Sequence, residues 1–305
     1  MDINQFKNEN TKPLVPVDNH NATETSVNQN KDDRAYGLSD IEYNDPNQIS
    51  VSVLDKNSPI VVLFGPPSCG KTMTLVRLAR YLKEQKYIVD PDRTFRPAAD
   101  SNYKNICANF NTIINSSYAQ ESTEQMSFML LKVIDSRGNT VCQILEAPGE
   151  YYFNPEKPHA NFPLYVNNIA NSDNRKIYCM IVEPDWMDQT DRMNYVDKIR
   201  SLKVKMRPRD KVIILHNKID QTNYVISPGV INIKGACSEI EYQYPGLFSI
   251  FTRKTILGSS AQYKYVPFQT GEYYTIPGVK SKKYDPSNSS YPRQLWDTIL
   301  KIIRG

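Results

Sequence analysis

Residues 58–82 read SPIVVLFGPPSCGKTMTLVRLARYL, and this stretch limits what the chain can fold into more than any other. The apolar run Ile60-Val61-Val62-Leu63-Phe64 has the length and β-branched content of a buried strand. Leu75, Leu78, Ala79 and Leu82 then recur at helical spacing. Between them lies Gly65-Pro66-Pro67-Ser68-Cys69-Gly70-Lys71-Thr72, the pattern G-x-x-x-x-G-K-[ST]. Gly65 and Gly70 let the backbone curl so that successive N–H groups face one concavity. The start of the helix adds its partial positive charge. Such a loop cradles phosphate oxygens: Lys71 reaches the outer phosphates and Thr72 offers its hydroxyl to Mg²⁺. Chance places this spacing in roughly 1% of chains of this length. The flanking strand and helix make chance rarer still. Pro66, Ser68 and Cys69 complete the cradle. Cys69, beside a helix N-terminus and Lys71, is expected to be a reactive thiolate.

The rest of the chain has to accommodate that loop. With 305 residues and 40% hydrophobic side chains, a sizeable core is within reach. The net charge of +4 is too weak to indicate a nucleic-acid or membrane partner. Residues 1–50 hold nine acidic and four basic side chains, which leaves the remainder near +9 and suited to an anionic ligand. Five cysteines with no C-x-x-C pair point to a reducing compartment rather than a zinc site. The first residues carry no apolar run like a secretory signal, and no stretch approaches 18 apolar residues, so the expectation is a cytoplasmic protein without a membrane span.

Residues 1–48 are rich in Asn, Asp, Thr and Ser without a period, which predicts a disordered polar arm. Beyond Lys86 a polar stretch reaches Gln125, and within it Tyr103, Ile106, Phe110 and Ile113 predict an inserted helix. Two apolar runs flank Asp135-Ser136-Arg137-Gly138-Asn139, turn chemistry that predicts an antiparallel hairpin. Residues 176–184 read as a buried strand. Tyr195, Ile199, Leu202 and Met206 mark a helix, and Lys211-Val212-Ile213-Ile214-Leu215 another strand, together a βαβ unit. Further strands are predicted at 247–253 and 263–268. A closing helix from Pro292 has Leu295, Ile299 and Ile302 on one face. The predicted class is α/β, a three-layer sandwich over a mostly parallel sheet with one antiparallel hairpin and several insertions, its ligand at the carboxyl ends of the strands.

The second informative motif is VIILHNKID, residues 212–220, where a strand runs into Asn217-Lys218-Ile219-Asp220. This N-K-x-D sequence, downstream of the phosphate loop, resembles the P-loop GTPases. The resemblance covers residues 56–220 by order of motifs. It implies that Asp220 accepts hydrogen bonds from guanine, that Asn217 ties its loop to the phosphate loop, and that the stem of Lys218 lies along the base. A site built for guanine's donors leaves a buried carboxylate unpaired when adenine enters, and so discriminates.

A third motif follows from the same resemblance. Where the family carries D-x-x-G, this chain has Glu146-Ala147-Pro148-Gly149. Gly149 matches the residue whose amide touches the γ-phosphate, and Glu146 replaces the metal-orienting Asp with a longer acid. Glu150 stands where Ras-like members carry the Gln that positions the attacking water. Lys71, Gly149 and Glu150 are therefore the expected catalytic residues, with Thr72 and Glu146 at Mg²⁺. A carboxylate at Glu150 repels the γ-phosphate, so hydrolysis is expected to be slow, roughly 10⁻⁴ per second or below.

The hairpin before Glu146 matches the TRAFAC class. An enlarged switch I region (86–125), an extended C-terminal part (221–305) and the polar arm suggest a divergent bacterial or phage-related member. The switch I threonine is open among Thr94, Thr112 and Thr123. The second base-contacting loop is Ser259-Ser260-Ala261 or Gln269-Thr270-Gly271, the latter preferred because it directly follows a strand. Arg93, Arg96 and Arg137 are unplaced candidates for an arginine finger. The resemblance implies a GTP/GDP-binding switch or regulatory module with a protein effector or activating partner. Two other readings stay open. One is a P-loop ATPase or kinase using Glu146 or Glu183-Pro184-Asp185. The other is a nucleotide-locked scaffold with little turnover. His159 and His216 show no metal-ligand spacing, and Lys280-Ser281-Lys282-Lys283 reads as a solvated loop.

Overall fold

The computed structural model describes residues 38–118, 128–184, 186, 188–255, 258–278 and 282–305. All of them belong to one compact unit. The strand β1 (Ile60–Phe64) lies at the middle of a seven-stranded sheet and is buried along its whole length. On one side it pairs in parallel with β5 (Lys176–Val182), which continues in parallel to β6 (Lys211–His216) and β11 (Tyr263–Pro267). On the other side it pairs in parallel with β4 (Thr140–Glu146). From β4 the sheet turns antiparallel through β3 (Met129–Ile134) to the edge strand β2 (Ile88–Pro91). The β3–β4 hairpin turns at residues 135–139, where Gly138 takes φ 83°. The α/β class with a mostly parallel sheet and an antiparallel hairpin is therefore the observed architecture.

Alternation along β1 divides the core, because successive side chains of a strand face opposite sides. Val61 and Leu63 join a cluster with α2 (Lys71–Glu84), α3 (Ser101–Asn115) and α9 (Ser290–Arg304). Ile60, Val62 and Phe64 join a second cluster, with α4 (Gly149–Tyr152), α5 (Leu164–Asn171) and α6 (Gln189–Lys205). With helices on both faces, the central strands are buried along their whole length, β1 apolar throughout and β5 from Ile177 onward except for the Tyr178 hydroxyl. Each fully buried Leu, Ile or Phe here contributes about 1.5–3 kcal/mol. On α9, Leu295, Ile299 and Ile302 are all buried. Trp186 and Trp296 are core residues as well.

β1, β4, β5, β6 and β11 share one direction, so their carboxyl ends open onto one edge of the sheet. Tyr195 reaches up from α6 to that edge, its hydroxyl against Phe64 O (3.3 Å) and Ile181 O (3.1 Å). No helix of the described residues is long and apolar enough to cross a membrane.

Several expectations need correction. Residues 38–48, assigned to the polar arm, are ordered. The helix α1 (Asp40–Asn44) begins with a capping box between Ser39 and Glu42. Glu42 then pairs with the buried Arg96 (2.6 Å), while Leu38 and Ile49 are buried. Two apolar residues at its ends, an ion pair and a hydrogen bond from Leu164 N to Asn47 Oδ1 (3.2 Å) fasten a segment whose composition is otherwise polar. Residues 1–37 lie outside the described residues. Residues 247–250, expected as strand, form the short helix α8 (Leu247–Ile250), and β9 (Thr252–Thr255) starts only afterwards. Gly246 at φ 82° starts the turn. The edge strand β2 has a single buried side chain, Val89, and so left no alternating signature.

The segment after β6 carries the hairpin β7 (Val225–Ser227) to β8 (Val230–Ile231) and the helix α7 (Ile233–Gln243), neither expected from the sequence. Two further hairpins flank β11: β9 with β10 (Gly258–Ala261), and β12 (Glu272–Tyr274) with β13 (Lys283–Asp285).

Candidate functional site

The loop joining β1 to α2 turns through two left-handed residues, Ser68 (φ 61°) and Gly70 (φ 87°). Gly70 is required twice over. Its φ is one that L side chains rarely adopt, and a Cβ there would stand 2.4 Å from Asn217 Nδ2. Lys71 is buried and donates from Nζ to Pro66 O at 2.8 Å, so its ammonium closes the loop upon itself. Gly149, the first residue of α4, lies directly against this ring. A Cβ on it would come within 2.4 Å of the Pro66–Pro67 peptide and 2.5 Å of Lys71 Nζ. Only glycine fits there.

Glu146 ends β4 beside the loop and is 1% exposed. The Thr72 hydroxyl donates to Glu146 Oε1 at 3.0 Å, and Oε2 accepts no hydrogen bond among the described residues. Burial pushes the carboxyl up to about 7, against the pull of Lys71 and Thr72, and the neighbouring Glu150 adds to the rise. A hydroxyl and a buried carboxylate with one orphaned oxygen are hard oxygen donors, and they fit Mg²⁺. Among the described residues no three His, Cys, Asp or Glu side chains gather into a metal site. The cation would therefore need phosphate oxygens to complete its shell. Glu150, in the first turn of α4, is half-buried.

The loop after β6 comes to the same edge. Asn217 is fully buried, and its Nδ2 donates to Cys69 O at 2.8 Å, joining this loop to the phosphate loop. Lys218 sits at φ 52° and forms an ion pair with the buried Glu183 at the end of β5. The left-handed turn opens a short 3-10 segment, Ile219–Gln221, that presents the exposed carboxylate of Asp220. His216, just before, is buried with Nδ1 2.9 Å from the Tyr265 hydroxyl, and burial lowers it to about 4.

Of the two candidates for a second base-contacting loop, residues 269–271 reach the site. Phe268 N donates to His216 O (2.8 Å), and Ile219 N to Phe268 O (3.1 Å), which stitches the two loops together. The methyl of Thr270 would lie 3.4 Å from a Cβ on Gly70. Gln269 follows Phe268 at half-buried exposure. Ser259, Ser260 and Ala261 are instead exposed on β10, in a separate hairpin.

Other expected residues stay away. The Thr94 hydroxyl donates to Asp92 Oδ1 (2.6 Å) just after the edge strand β2, three strands from β1. Thr112 is exposed on α3. Thr123, Asp185, Lys280 and Ser281 lie outside the described residues. Arg96 is committed to Glu42 and Asp100, Arg137 lies in the β3–β4 turn at the opposite end of β4 from Glu146, and Arg93 is exposed. Cys69 contradicts the expectation of a thiolate. It is 1% exposed, and burial pushes its thiol up to about 11 despite Lys71. Three residues at this edge carried no sequence signal: Arg77, Glu183 as the partner of Lys218, and Tyr284.

No family model matches the sequence, and no curated protein matches it. Among solved structures, the chain is similar to a nucleolar GTP-binding protein 1 from Plasmodium falciparum, with 14% identity, 84% of this chain and 90% of that chain covered, and a TM-score of 0.41. It is similar also to the S. cerevisiae Ski7 GTPase-like domain bound to GTP (14% identity, 82% and 50% covered, TM-score 0.40). A third is Methanosarcina barkeri Roco2 RocCORdC bound to GDP (12% identity, 83% and 52% covered, TM-score 0.34). The chain spans about half the length of the last two.

Proposed function

We propose that the chain binds guanine nucleotides at the carboxyl edge of its sheet and hydrolyses GTP slowly, as a switch or regulatory module. The observation that carries this reading is the bond from Asn217 to Cys69 O, which holds the Asp220 loop against the phosphate loop at hydrogen-bond distance. Gly65, Pro66, Ser68, Cys69, Gly70, Lys71 and Thr72 take the phosphates. Asn217, Lys218, Asp220, Gln269 and Thr270 surround the base. Lys71 donates to Pro66 O, and an outer phosphate oxygen would offer its ammonium a stronger, charge-assisted bond.

Thr72 and Glu146 would hold Mg²⁺, which would supply neutralising charge to the phosphates. Gly149 packs directly against the Pro66–Pro67 peptide and Lys71 Nζ, which puts its loop next to the loop proposed to take the phosphates. In the chemical step, water adds to the γ-phosphorus, the bond to the bridging oxygen breaks, and GDP and phosphate leave. Glu150 orients the water, and its charge slows the step.

The nucleotide-locked scaffold stays open as a second reading because Glu146 and Glu150 both depart from the residues the resemblance leads one to expect. The ATPase or kinase reading is weakened because Glu183 is occupied by Lys218. The five cysteines are all free thiols, in keeping with a reducing, cytoplasmic setting. A divergent TRAFAC-class member of bacterial or phage-related origin, served by an activating partner or effector, fits the enlarged 86–125 region.

Single-turnover hydrolysis of GTP with Mg²⁺ tests the proposal. Glu150→Gln should equal or exceed the wild-type rate, since it removes the repulsion and keeps an orienting group. Rapid wild-type turnover with a dead Glu150→Gln variant would make Glu150 a general base and the protein a self-sufficient hydrolase.

A further inference from the structure

Arg77 lies on α2, six residues beyond Lys71, and is 1% exposed. A guanidinium is rarely removed from water without a carboxylate. Among the described residues Arg77 has no carboxylate in ion-pair range. Two backbone carbonyls hold it instead, Gln269 O and Asn288 O, from chain segments more than 190 residues away. The rings of Phe268 and Tyr291 lie 5.9 and 5.8 Å from its guanidinium carbon. Its charge also reaches the Asp220 carboxylate.

The position of this cation is informative. Its helix begins at the phosphate loop, while its hydrogen bond ends on the loop that carries Gln269 and Thr270. The same loop is also held by the Tyr284 hydroxyl, which donates to Thr270 O at 2.9 Å. An apolar residue at position 77 would fill the space without the desolvation cost of a charge, but it would leave Gln269 O unheld.

We propose that Arg77 is a specificity-positioning residue: from the phosphate helix it fixes the 268–271 loop at the separation from Asp220 that guanine requires. This inference rests on the guanine-nucleotide reading above and adds to it a residue outside the resemblance.

Binding of GDP, ADP and inorganic pyrophosphate to the wild type and to Arg77→Met, followed by calorimetry, tests it. Arg77→Met should lose about tenfold or more in GDP affinity, narrowing the GDP-to-ADP ratio, while pyrophosphate binds as before. Arg77→Lys, which can still reach one carbonyl, should recover part of the ratio. An unchanged GDP-to-ADP ratio, or an equal loss for GDP and pyrophosphate, would overturn the inference, the second result marking a merely structural role.

Should Arg77→Met fail to fold, Tyr284→Phe loosens the same loop by removing one hydroxyl. It should narrow the ratio by about threefold, and an unchanged ratio overturns the inference equally. A wild type that binds GDP and ADP alike would end the guanine reading and this inference with it. A wild type that discriminates, beside an Arg77→Met variant that discriminates as well, ends the inference alone.

Discussion

The two halves of the candidate site are built by different means. The phosphate half is close packing around two glycines and a buried lysine. Gly149 abuts the Pro66–Pro67 peptide, Gly70 abuts Asn217, and Lys71 folds back onto Pro66 O. The base half is a set of loops held by side chains from distant elements: Arg77 on Gln269 O, Tyr284 on Thr270 O, Glu183 on Lys218. The first tolerates no added atom. The second depends on hydrogen bonds that can be removed singly. Mutation should therefore act as all or none on phosphate binding and by degrees on base selectivity.

The largest expected effect falls in the phosphate half. Lys71→Ala should abolish GTP binding while the protein stays folded, because the one hydrogen bond its side chain makes among the described residues, to Pro66 O, is worth only about 0.5–1.5 kcal/mol. Calorimetry with GTP, beside a urea melt, reads both. Normal GTP binding by this variant would break the comparison at its stronger end.

Acid should act on the base half through His216. Burial holds its folded value at about 4, below the usual 6.5. The unfolded chain then takes up a proton that the folded protein refuses. Its contribution is intact above pH 6.5 and is lost as pH falls from 6.5 towards 4, by up to about 3 kcal/mol. His216→Gln does not titrate, so its stability should fall less over that window in melts followed against pH. Parallel pH profiles for the two proteins would show that His216 does not govern this acid sensitivity.

The smallest effect concerns Cys69. With its thiol buried and raised to about 11, it should react with a maleimide far more slowly in the folded protein than in urea. Fast labelling at neutral pH without denaturant would mean that the phosphate loop opens readily, and the contrast between a rigid and an adjustable half would weaken.

The same contrast explains what the sequence made legible. The phosphate loop is specified within eight consecutive residues, and its strand and helix are marked by an unbroken apolar run and a helical period. The hairpin, α3 and α9 were readable for the same local reason. Arg77 was not, because an arginine on a helix is ordinarily a solvated one, and its carbonyl partners come from the far end of the chain. The pairing of Glu183 with Lys218 is likewise invisible until β5 and β6 lie side by side. Residues 38–48 misled through composition, since the Glu42–Arg96 pair that fastens them spans 54 residues. Cys69 departs from its sequence expectation because burial, which local sequence does not display, outweighs the pull of Lys71.

The central claim, that the edge joining the phosphate loop to Asp220 selects guanine, is tested most directly by titrating GDP and ADP into wild-type protein and Asp220→Ala. The wild type should strongly prefer GDP. Asp220→Ala should erase that preference, at a cost to GDP binding of roughly 3–5 kcal/mol for two charge-assisted hydrogen bonds. Equal affinity of the wild type for the two nucleotides, or an unchanged preference in Asp220→Ala, would contradict it.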